Sequence, residues 1–206
     1  MPRSESARRG ANLRRAFLFV SFALAAATAA AQSKGDPAKG EAKAKACAAC
    51  HGEAGRAPLP MTPWLNGQLE EVTVLQLVLI REGLREVPQM AGMLDKLTDP
   101  DFFDIGAYYA RQAPPKASGP GDAKRRERGA ALAKSMGCNS CHMGDYSGQK
   151  QVPRIANQRE DYLAATLKAY RDNKRTGPDT SMNGAMYKVP DADIEALAHF
   201  LAHHNQ

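Results

Sequence analysis

Two copies of one five-residue pattern hold all four cysteines of this 206-residue chain, and they lie 91 positions apart. Each copy, from Cys47 to His51 and from Cys138 to His142, reads Cys-x-x-Cys-His. This pattern is typical of covalent haem attachment, because the two thiols form thioether bonds to the porphyrin vinyl groups and the adjacent histidine binds the iron. We therefore expect two covalently bound haem c groups. Their attachment points and proximal ligands would be Cys47, Cys50 and His51, and Cys138, Cys141 and His142.

Two other uses of cysteine pairs fit the pattern less well. A structural zinc ion normally takes four Cys or His ligands, whereas each motif offers three and the chain has no further cysteine. A thioredoxin-type redox pair would lie near a βαβ pattern, and the sequence contains no convincing strand.

The N-terminus has the features of a secretory signal. Five arginines precede or flank an apolar run over residues 16–28, and Ala29-Ala30-Ala31 before Gln32 forms a small-residue cleavage site. We expect residues 1–31 to be a signal peptide and the mature protein to be periplasmic. A retained anchor is the alternative, but the run is short for a membrane span. A twin-arginine reading of Arg14-Arg15 is discounted, because we expect haem to be attached after export of an unfolded chain.

Charge argues against nucleic acid as a partner. The whole chain carries a formal charge of +6, and without residues 1–31 it carries +2, so no strong basic excess remains. One cluster of cations begins the second half of the chain. It is either a docking patch for an acidic partner or, as we favour, a solvated helix start, and it contains Lys124, Arg125, Arg126 and Arg128.

The mature chain is an internal repeat. Residues 68–85 align without gaps on residues 158–175, and the final segments align at an offset of 92. The Pro/Gly-rich segment 113–121 reads as a linker. We therefore expect one domain over residues 33–112, called half one, and a second over residues 122–206, called half two.

Apolar residues recur at helical spacing in both halves. Candidate N-caps are Asp36, Thr98 and Asp122, and the middle helices should end near Arg81 and Arg171. The sequence thus predicts an all-α protein with two tandem domains, each a few helices around one covalent haem. Aromatic residues are scarce, at 6% of the chain, and a haem would supply the apolar plate that so small a core lacks.

The repeat also selects candidates for the sixth iron ligand. Met90 lies nine residues before Asp99, and Met182 lies nine before Asp191. Other methionines do not match between the halves: Met93 aligns with Ala185, Met186 with Leu94 and Met61 with Gln151. Methionine is often a gap-filler in cores, but two matched residues before the last helices favour Met90 and Met182 as axial ligands.

Three histidines remain near the C-terminus, namely His199, His203 and His204. His199 and His203 are four apart and could share one helix face. We interpret them as a solvated helix end rather than as a metal site.

With these motifs in place, the mature chain resembles the dihaem cytochrome c4 family over residues 36–206. The resemblance rests on both haem motifs, on both methionine loops, and on the stretches Pro63 to Gln68, Leu97 to Asp101 and Pro153 to Gln158. It implies two class I cytochrome c domains with His51/Met90 and His142/Met182 as ligand pairs. It also implies a loop proline carbonyl that holds the proximal imidazole. Pro60 fits that role in half one, and Lys150 stands at the aligned position in half two.

The resemblance further implies a periplasmic electron carrier rather than an enzyme. It would pass single electrons between a respiratory donor and a terminal oxidase or other acceptor, with peripheral membrane association allowed. Two alternatives stay open. One is the cytochrome subunit of a flavin-containing sulfide dehydrogenase. The other is a dihaem redox enzyme, such as a peroxidase or a thiosulfate-oxidising cytochrome, which would need one iron without a methionine ligand.

Overall fold

Helices make up the regular structure of this protein. The computed structural model describes residues 35–117, 119–177 and 179–204, so the expected signal peptide lies outside the described residues. In half one the helices are α1 (Pro37–Ala44), α2 (Ala48–His51), α3 (Glu70–Arg81) and α4 (Asp99–Ala110). In half two they are α5 (Ala123–Ser135), α6 (Cys138–His142), α7 (Glu160–Arg171), α8 (Ser181–Met186) and α9 (Asp191–Ala202).

The other elements are two short 3₁₀ turns, Glu53–Gly55 and Pro88–Met90. Pairing of β type in the described ranges is limited to an isolated bridge between Gln149 and Val152. The predicted all-α class is therefore confirmed. None of the helices in these ranges is long and apolar enough to cross a bilayer.

The predicted helix starts have the expected caps. The Asp36 carboxylate accepts hydrogen bonds from the first backbone N–H groups of α1, and the Asp122 carboxylate does the same for α5. Thr98 and Asp101 form a reciprocal capping box at α4. Each cap satisfies backbone donors that a helix leaves without internal partners, so these starts are encoded locally.

The repeat register is visible in matching backbone contacts. The N–H of Gly67 donates to the Tyr109 carbonyl, and the N–H of Asn157 donates to the Leu201 carbonyl. Both Gly67 and Asn157 have positive φ, at 66° and 58°. The first pair of residues maps onto the second at offsets of 90 and 92, so the two halves share one fold over these segments.

In both halves the first long helix crosses the last helix at a glycine. A Cβ atom at Gly40 would collide with the Asp104 carbonyl of α4, and one at Gly129 would collide with the Ala196 carbonyl of α9. Asp104 and Ala196 are 92 positions apart, the offset of the last helices. The glycines therefore allow each pair of helix backbones to approach closely, and this contact orders the segment that leads into each haem motif.

We expect Gly129→Ala to destabilise the holoprotein by about 1–3 kcal/mol, because the added methyl group overpacks against backbone that cannot move aside. Gly184→Ala is the matched control, since a Cβ there meets nothing within 4 Å and the site is helical. Denaturant unfolding followed by far-UV circular dichroism measures both. Equal stability of the two variants would contradict this account of the crossing.

Two hydrophobic cores lie in the described residues, one in each half. The buried residues of the first are Ala44, Leu77, Leu94, Phe102, Ile105 and Tyr109. The second is built on the corresponding helices, with Leu167, Ile194 and Leu201 among its buried residues. An arginine at the end of each middle helix ties it to the start of the last helix. Arg81 pairs with Asp99, and Arg171 pairs with Asp191.

The segment 113–121 contacts both halves. Pro114 packs against Gly67 at a distance that leaves no room for a Cβ, and the Ala113 carbonyl accepts a hydrogen bond from the Asn66 side chain at 2.6 Å. At its other end, the Gly119 carbonyl lies 3.0 Å from Nδ1 of His203. Hydrogen bonds therefore hold the described part of this segment near both of its ends.

Candidate functional site

Each proximal histidine is oriented by a proline carbonyl. Nδ1 of His51 donates to the Pro63 carbonyl at 3.1 Å, and Nδ1 of His142 donates to the Pro153 carbonyl at 2.9 Å. Both rings are buried, and burial lowers the pKa of both histidines although the carbonyls oppose the shift. Because Nδ1 is used by the carbonyl in each half, Nε2 is the ring nitrogen that can bind a metal ion.

The expectation that Pro60 holds the imidazole was wrong, and in half two Pro153 makes the contact although Lys150 aligns with Pro60. Pro63 and Pro153 lie 90 positions apart, so aligned prolines make the same contact in both halves. The stretch Pro63 to Gln68 that matches Pro153 to Gln158 already contained the signal.

None of the four cysteines, all of which lie in the described ranges, forms a disulfide bond. Cys47 and Cys138 are half-buried and pack against the cores of their halves, and burial raises the pKa of both thiols. Cys141 is exposed. In each motif a short helix, α2 or α6, carries the second cysteine and the histidine, so the thiols and the imidazole lie on one turn of chain.

The methionines separate into three groups. Met90 and Met182 are half-buried, and each packs against the core of its own half. Met93 is 46% exposed, whereas Met186 is 2% exposed and belongs to the core, as does the aligned Leu94. Met90 and Met182 are therefore alike in burial and in core contact, although Met90 ends a 3₁₀ turn and Met182 lies in α8. Met136 is also partly buried against the core of half two.

His199 is not part of a solvated helix end, and that interpretation was wrong. It is 5% exposed, its Nδ1 donates to Glu160 at 2.9 Å, and its Nε2 accepts from the Asp122 N–H at 2.8 Å. Arg125 also binds Glu160, at 2.8 Å. These contacts use both ring nitrogens of His199, so the side chain joins the starts of α5 and α7 to α9.

The cation cluster belongs to α5, as expected of a helix start. Arg125 pairs with Glu160 and Arg128 with Asp193. Arg126 donates to the Pro120 carbonyl at 2.8 Å. Three of the four cations therefore already have partners, two in half two and one in the linker.

Two glutamines join the halves through reciprocal bonds to backbone. The Gln68 amide accepts from the Arg154 N–H at 2.9 Å and donates to the Arg154 carbonyl at 3.0 Å. The Gln158 amide accepts from the Trp64 N–H at 2.9 Å and donates to the Trp64 carbonyl at 2.8 Å. Both pairs match at an offset of 90, so this contact, here called the glutamine clasp, has approximate two-fold symmetry.

A second contact between the halves does not follow the two-fold symmetry of the glutamine clasp. The Asp161 carboxylate accepts from the Met61 N–H at 3.0 Å and is held by the Arg159 guanidinium at 2.7 Å. Arg159 holds the pKa of Asp161 down, at about 2, and the Met61 N–H lowers it further, while partial burial opposes the shift. This contact could not be predicted from the sequence, because Met61 and Asp161 are 100 positions apart and the repeat does not align them with a matching pair.

The depressed pKa of Asp161 predicts a pH-dependent contribution to stability. The unfolded carboxyl titrates near pH ~4, so the contribution is fully present above that pH and is lost as the pH falls through about 2. Asp161→Asn should therefore be less stable than the wild type near neutral pH, and the difference should shrink towards pH ~2. Urea unfolding over this pH range measures it, and a difference independent of pH would contradict the prediction.

Comparisons with known proteins agree with this arrangement. A family model described as cytochrome c matches residues 126–205. A cytochrome c4 of Thiocapsa roseopersicina is 37% identical over 84% of this chain and 95% of that protein. The chain belongs to the cytochrome c4 family. The crystal structure of reduced recombinant cytochrome c4 from Pseudomonas stutzeri matches with a TM-score of 0.78 and 32% identity, over 83% of this chain and 100% of that chain. A thiosulfate dehydrogenase electron acceptor of Thiomonas intermedia is 28% identical over 91% of this chain and 93% of that protein.

As a cytochrome c4, the protein is a dihaem electron-transfer cytochrome with two covalently bound haem c groups. The residues of the described structure fit such groups. Each motif offers two cysteines outside any disulfide and an imidazole whose Nε2 can bind iron. The buried Nε of Arg154 has no hydrogen-bond partner, and a haem carboxylate is an acceptor of the kind that this donor lacks.

Proposed function

We propose that this cytochrome c4 is a periplasmic electron carrier in which each haem iron is held by one histidine and one methionine. The pairs are His51 with Met90 and His142 with Met182. Thioether bonds form at Cys47, Cys50, Cys138 and Cys141. The observation that carries the proposal is the matched placement of Met90 and Met182, each half-buried against the core of its half.

The chain's own residues account for the properties of a carrier. When bound, haem supplies a one-electron couple between ferrous and ferric iron. The Pro63 and Pro153 carbonyls fix the imidazole rings, and methionine sulfur favours the reduced iron and raises its potential. A histidine and a methionine on each iron would leave no coordination position for a small-molecule substrate. The protein would then transfer electrons without catalysing a reaction of its own.

We expect Met90→Ala to remove the methionine–iron charge-transfer band of one haem and to lower that haem's potential. Met182→Ala should do the same to the other haem. The exposed residues Met93 and Met143 are matched controls in the two halves, and their alanine variants should keep both bands. Absorption spectra of the ferric protein with potentiometric titration measure this. A lost band in a control variant, with Met90→Ala unchanged, would refute the assignment.

Carbon monoxide separates a carrier from an enzyme. It binds ferrous haem only where a coordination position is open or its ligand leaves easily, so the wild-type ferrous protein should show no spectral change. Met90→Ala should bind carbon monoxide at one haem and serves as the positive control. Binding to one haem of the wild type would instead favour a dihaem enzyme.

For partners, we propose a respiratory donor on one side and a terminal oxidase or another acceptor on the other. The similarity to a protein named thiosulfate dehydrogenase electron acceptor adds one candidate donor, a thiosulfate dehydrogenase. Stopped-flow reduction of the oxidised protein by such an enzyme, and oxidation of the reduced protein by oxidase-containing membranes, test the two sides separately. Co-purification with a flavoprotein would favour the sulfide dehydrogenase alternative.

The expected domain organisation is part of the proposal. Residues 1–31 would be removed on export, leaving domains over residues 33–112 and 122–206 joined by the linker 113–121. Intact-mass measurement of the exported protein tests this together with the cofactor count. It should show two haem additions and no arginine-rich N-terminus.

A further inference from the structure

The glutamine clasp binds the peptide groups that orient the proximal histidines. Gln158 Oε1 of half two accepts from the Trp64 N–H of half one at 2.9 Å. This N–H belongs to the same peptide group as the Pro63 carbonyl, which accepts from Nδ1 of His51 at 3.1 Å. One peptide group of half one therefore lies between a histidine of its own half and a glutamine of the other half.

The second arm of the clasp repeats this arrangement in the opposite direction. Gln68 Oε1 of half one accepts from the Arg154 N–H of half two at 2.9 Å. The carbonyl of that peptide group is the one of Pro153, and it accepts from Nδ1 of His142 at 2.9 Å. The arrangement is thus crossed, because each half supplies the glutamine that serves the histidine of the other half.

A peptide group can relay the effect of one hydrogen bond to the other. In a trans peptide the C=O and N–H bonds point in opposite directions and are joined by resonance. An acceptor at the N–H therefore increases the negative charge on the carbonyl oxygen and makes that oxygen a better acceptor. Chains of hydrogen bonds strengthen one another in this way by roughly 10–30% for each bond. Each glutamine oxygen thus strengthens the bond that the histidine of the opposite half donates.

Both glutamine oxygens are also held by backbone of their own halves. Gln158 Oε1 accepts from the Arg159 N–H at 2.9 Å, and Gln68 Oε1 accepts from the Leu69 N–H at 3.1 Å. Arg159 and Leu69 directly precede α7 and α3, so each oxygen is fixed to the start of a long helix. Gln158 is 7% exposed, and Gln68 is half-buried. Fixed acceptors that are partly shielded from water act on the peptide groups with little competition from solvent.

We propose that Gln68 and Gln158 are positioning residues that set the donor strength of the proximal imidazole in the opposite half. The inference rests on the proposed assignment of His51 and His142 as iron ligands. A stronger hydrogen bond from Nδ1 makes Nε2 a more basic ligand. A more basic ligand stabilises ferric iron relative to ferrous iron and so lowers the potential. Contact between the halves thereby tunes both redox centres through the backbone.

The test removes one glutamine acceptor at a time from the dihaem protein, as Gln158→Met and Gln68→Met. Methionine keeps an unbranched side chain, but its sulfur is only a weak acceptor. In the ferrous protein, Gln158→Met should move the Nδ1–H proton resonance of His51 to lower frequency and leave that of His142 in place. The potential of the haem in half one should rise, by on the order of twofold in the reduction equilibrium. Gln68→Met should change His142 and the haem in half two instead.

Glutamate variants separate this relay from a general loosening of the interface. Gln158→Glu and Gln68→Glu keep an oxygen that can accept from the same N–H groups. They should hold the Nδ1–H resonance of the opposite histidine at its wild-type position or move it to higher frequency. A merely structural role predicts a shift to lower frequency in the methionine and glutamate variants alike, because both lose the bond that the glutamine Nε2 donates. If a methionine variant loses haem, the direction of the shift in its glutamate counterpart decides.

Two other glutamines provide matched controls. Gln151 is exposed and lies in the same loop as Pro153, and the Gln112 side chain donates to the Tyr108 carbonyl of its own half. Gln151→Met and Gln112→Met should leave both histidine resonances and both potentials unchanged. A methionine variant of the clasp that behaves like these controls would overturn the proposal. A shift found in the glutamine's own half, rather than in the opposite half, would overturn it as well.

Failure of the proposed function is recognised separately, in proteins with an intact clasp. Met90→Ala and Met182→Ala should each remove one histidine resonance from the diamagnetic region of the ferrous spectrum, because an iron without its sixth ligand becomes paramagnetic. This loss also assigns each resonance to its half. A wild type with fewer than two haems, or methionine variants that keep both resonances, would show that the iron ligands themselves were wrongly assigned.

Discussion

Four hydrogen bonds from two glutamine side chains fix how the halves of this cytochrome c4 meet. Gln68 and Gln158 each use both atoms of the amide on one backbone unit of the opposite half. Both glutamines are at least half-buried. A rearrangement of the interface that kept these groups buried but broke their hydrogen bonds would cost about 1–3 kcal/mol for each unsatisfied amide or backbone group. Because the glutamine clasp fixes one orientation of the halves, Arg85 and Arg175 can both donate hydrogen bonds to Gln76 and Tyr162. A flexible tether would not bring four side chains from two halves to one point.

Each half has a small protein core. The described residues of half one bury ten apolar side chains, and those of half two bury twelve. The last helix of each half provides some of the most buried members, with Phe102 and Ile194 both at 0% exposure. Domains of this size bury too little apolar surface to be stable with a wide margin. A bound haem therefore contributes much of the core of each half.

Much of this architecture could be predicted from the sequence, because it is encoded locally or twice. Caps such as Asp36 and Thr98 depend on neighbouring residues, and the repeat register favours Met90 over Met93 as the iron ligand of half one. The ungapped match of residues 68–85 with residues 158–175 begins at Gln68 and Gln158 and ends at Arg85 and Arg175. These are residues that join the halves. It could not show that they face each other, because identity between repeats carries no information about orientation. His199 was misjudged for a related reason, since its partners Glu160 and Asp122 are distant in sequence.

The symmetry of the glutamine clasp has an evolutionary consequence. An interface in which residue i contacts residue j and j contacts i is the isologous form that a two-fold homodimer takes. The clasp would work unchanged between two identical single-haem subunits, since it uses a glutamine side chain and the backbone of the other partner. Fusion into one chain removes the requirement that both sides be identical. Trp64 now stands opposite Gln158 while Arg154 stands opposite Gln68, and the Met61–Asp161 contact exists on one side only. A repeat within one chain can therefore keep the geometry of a two-fold dimer while its two redox centres differ from each other.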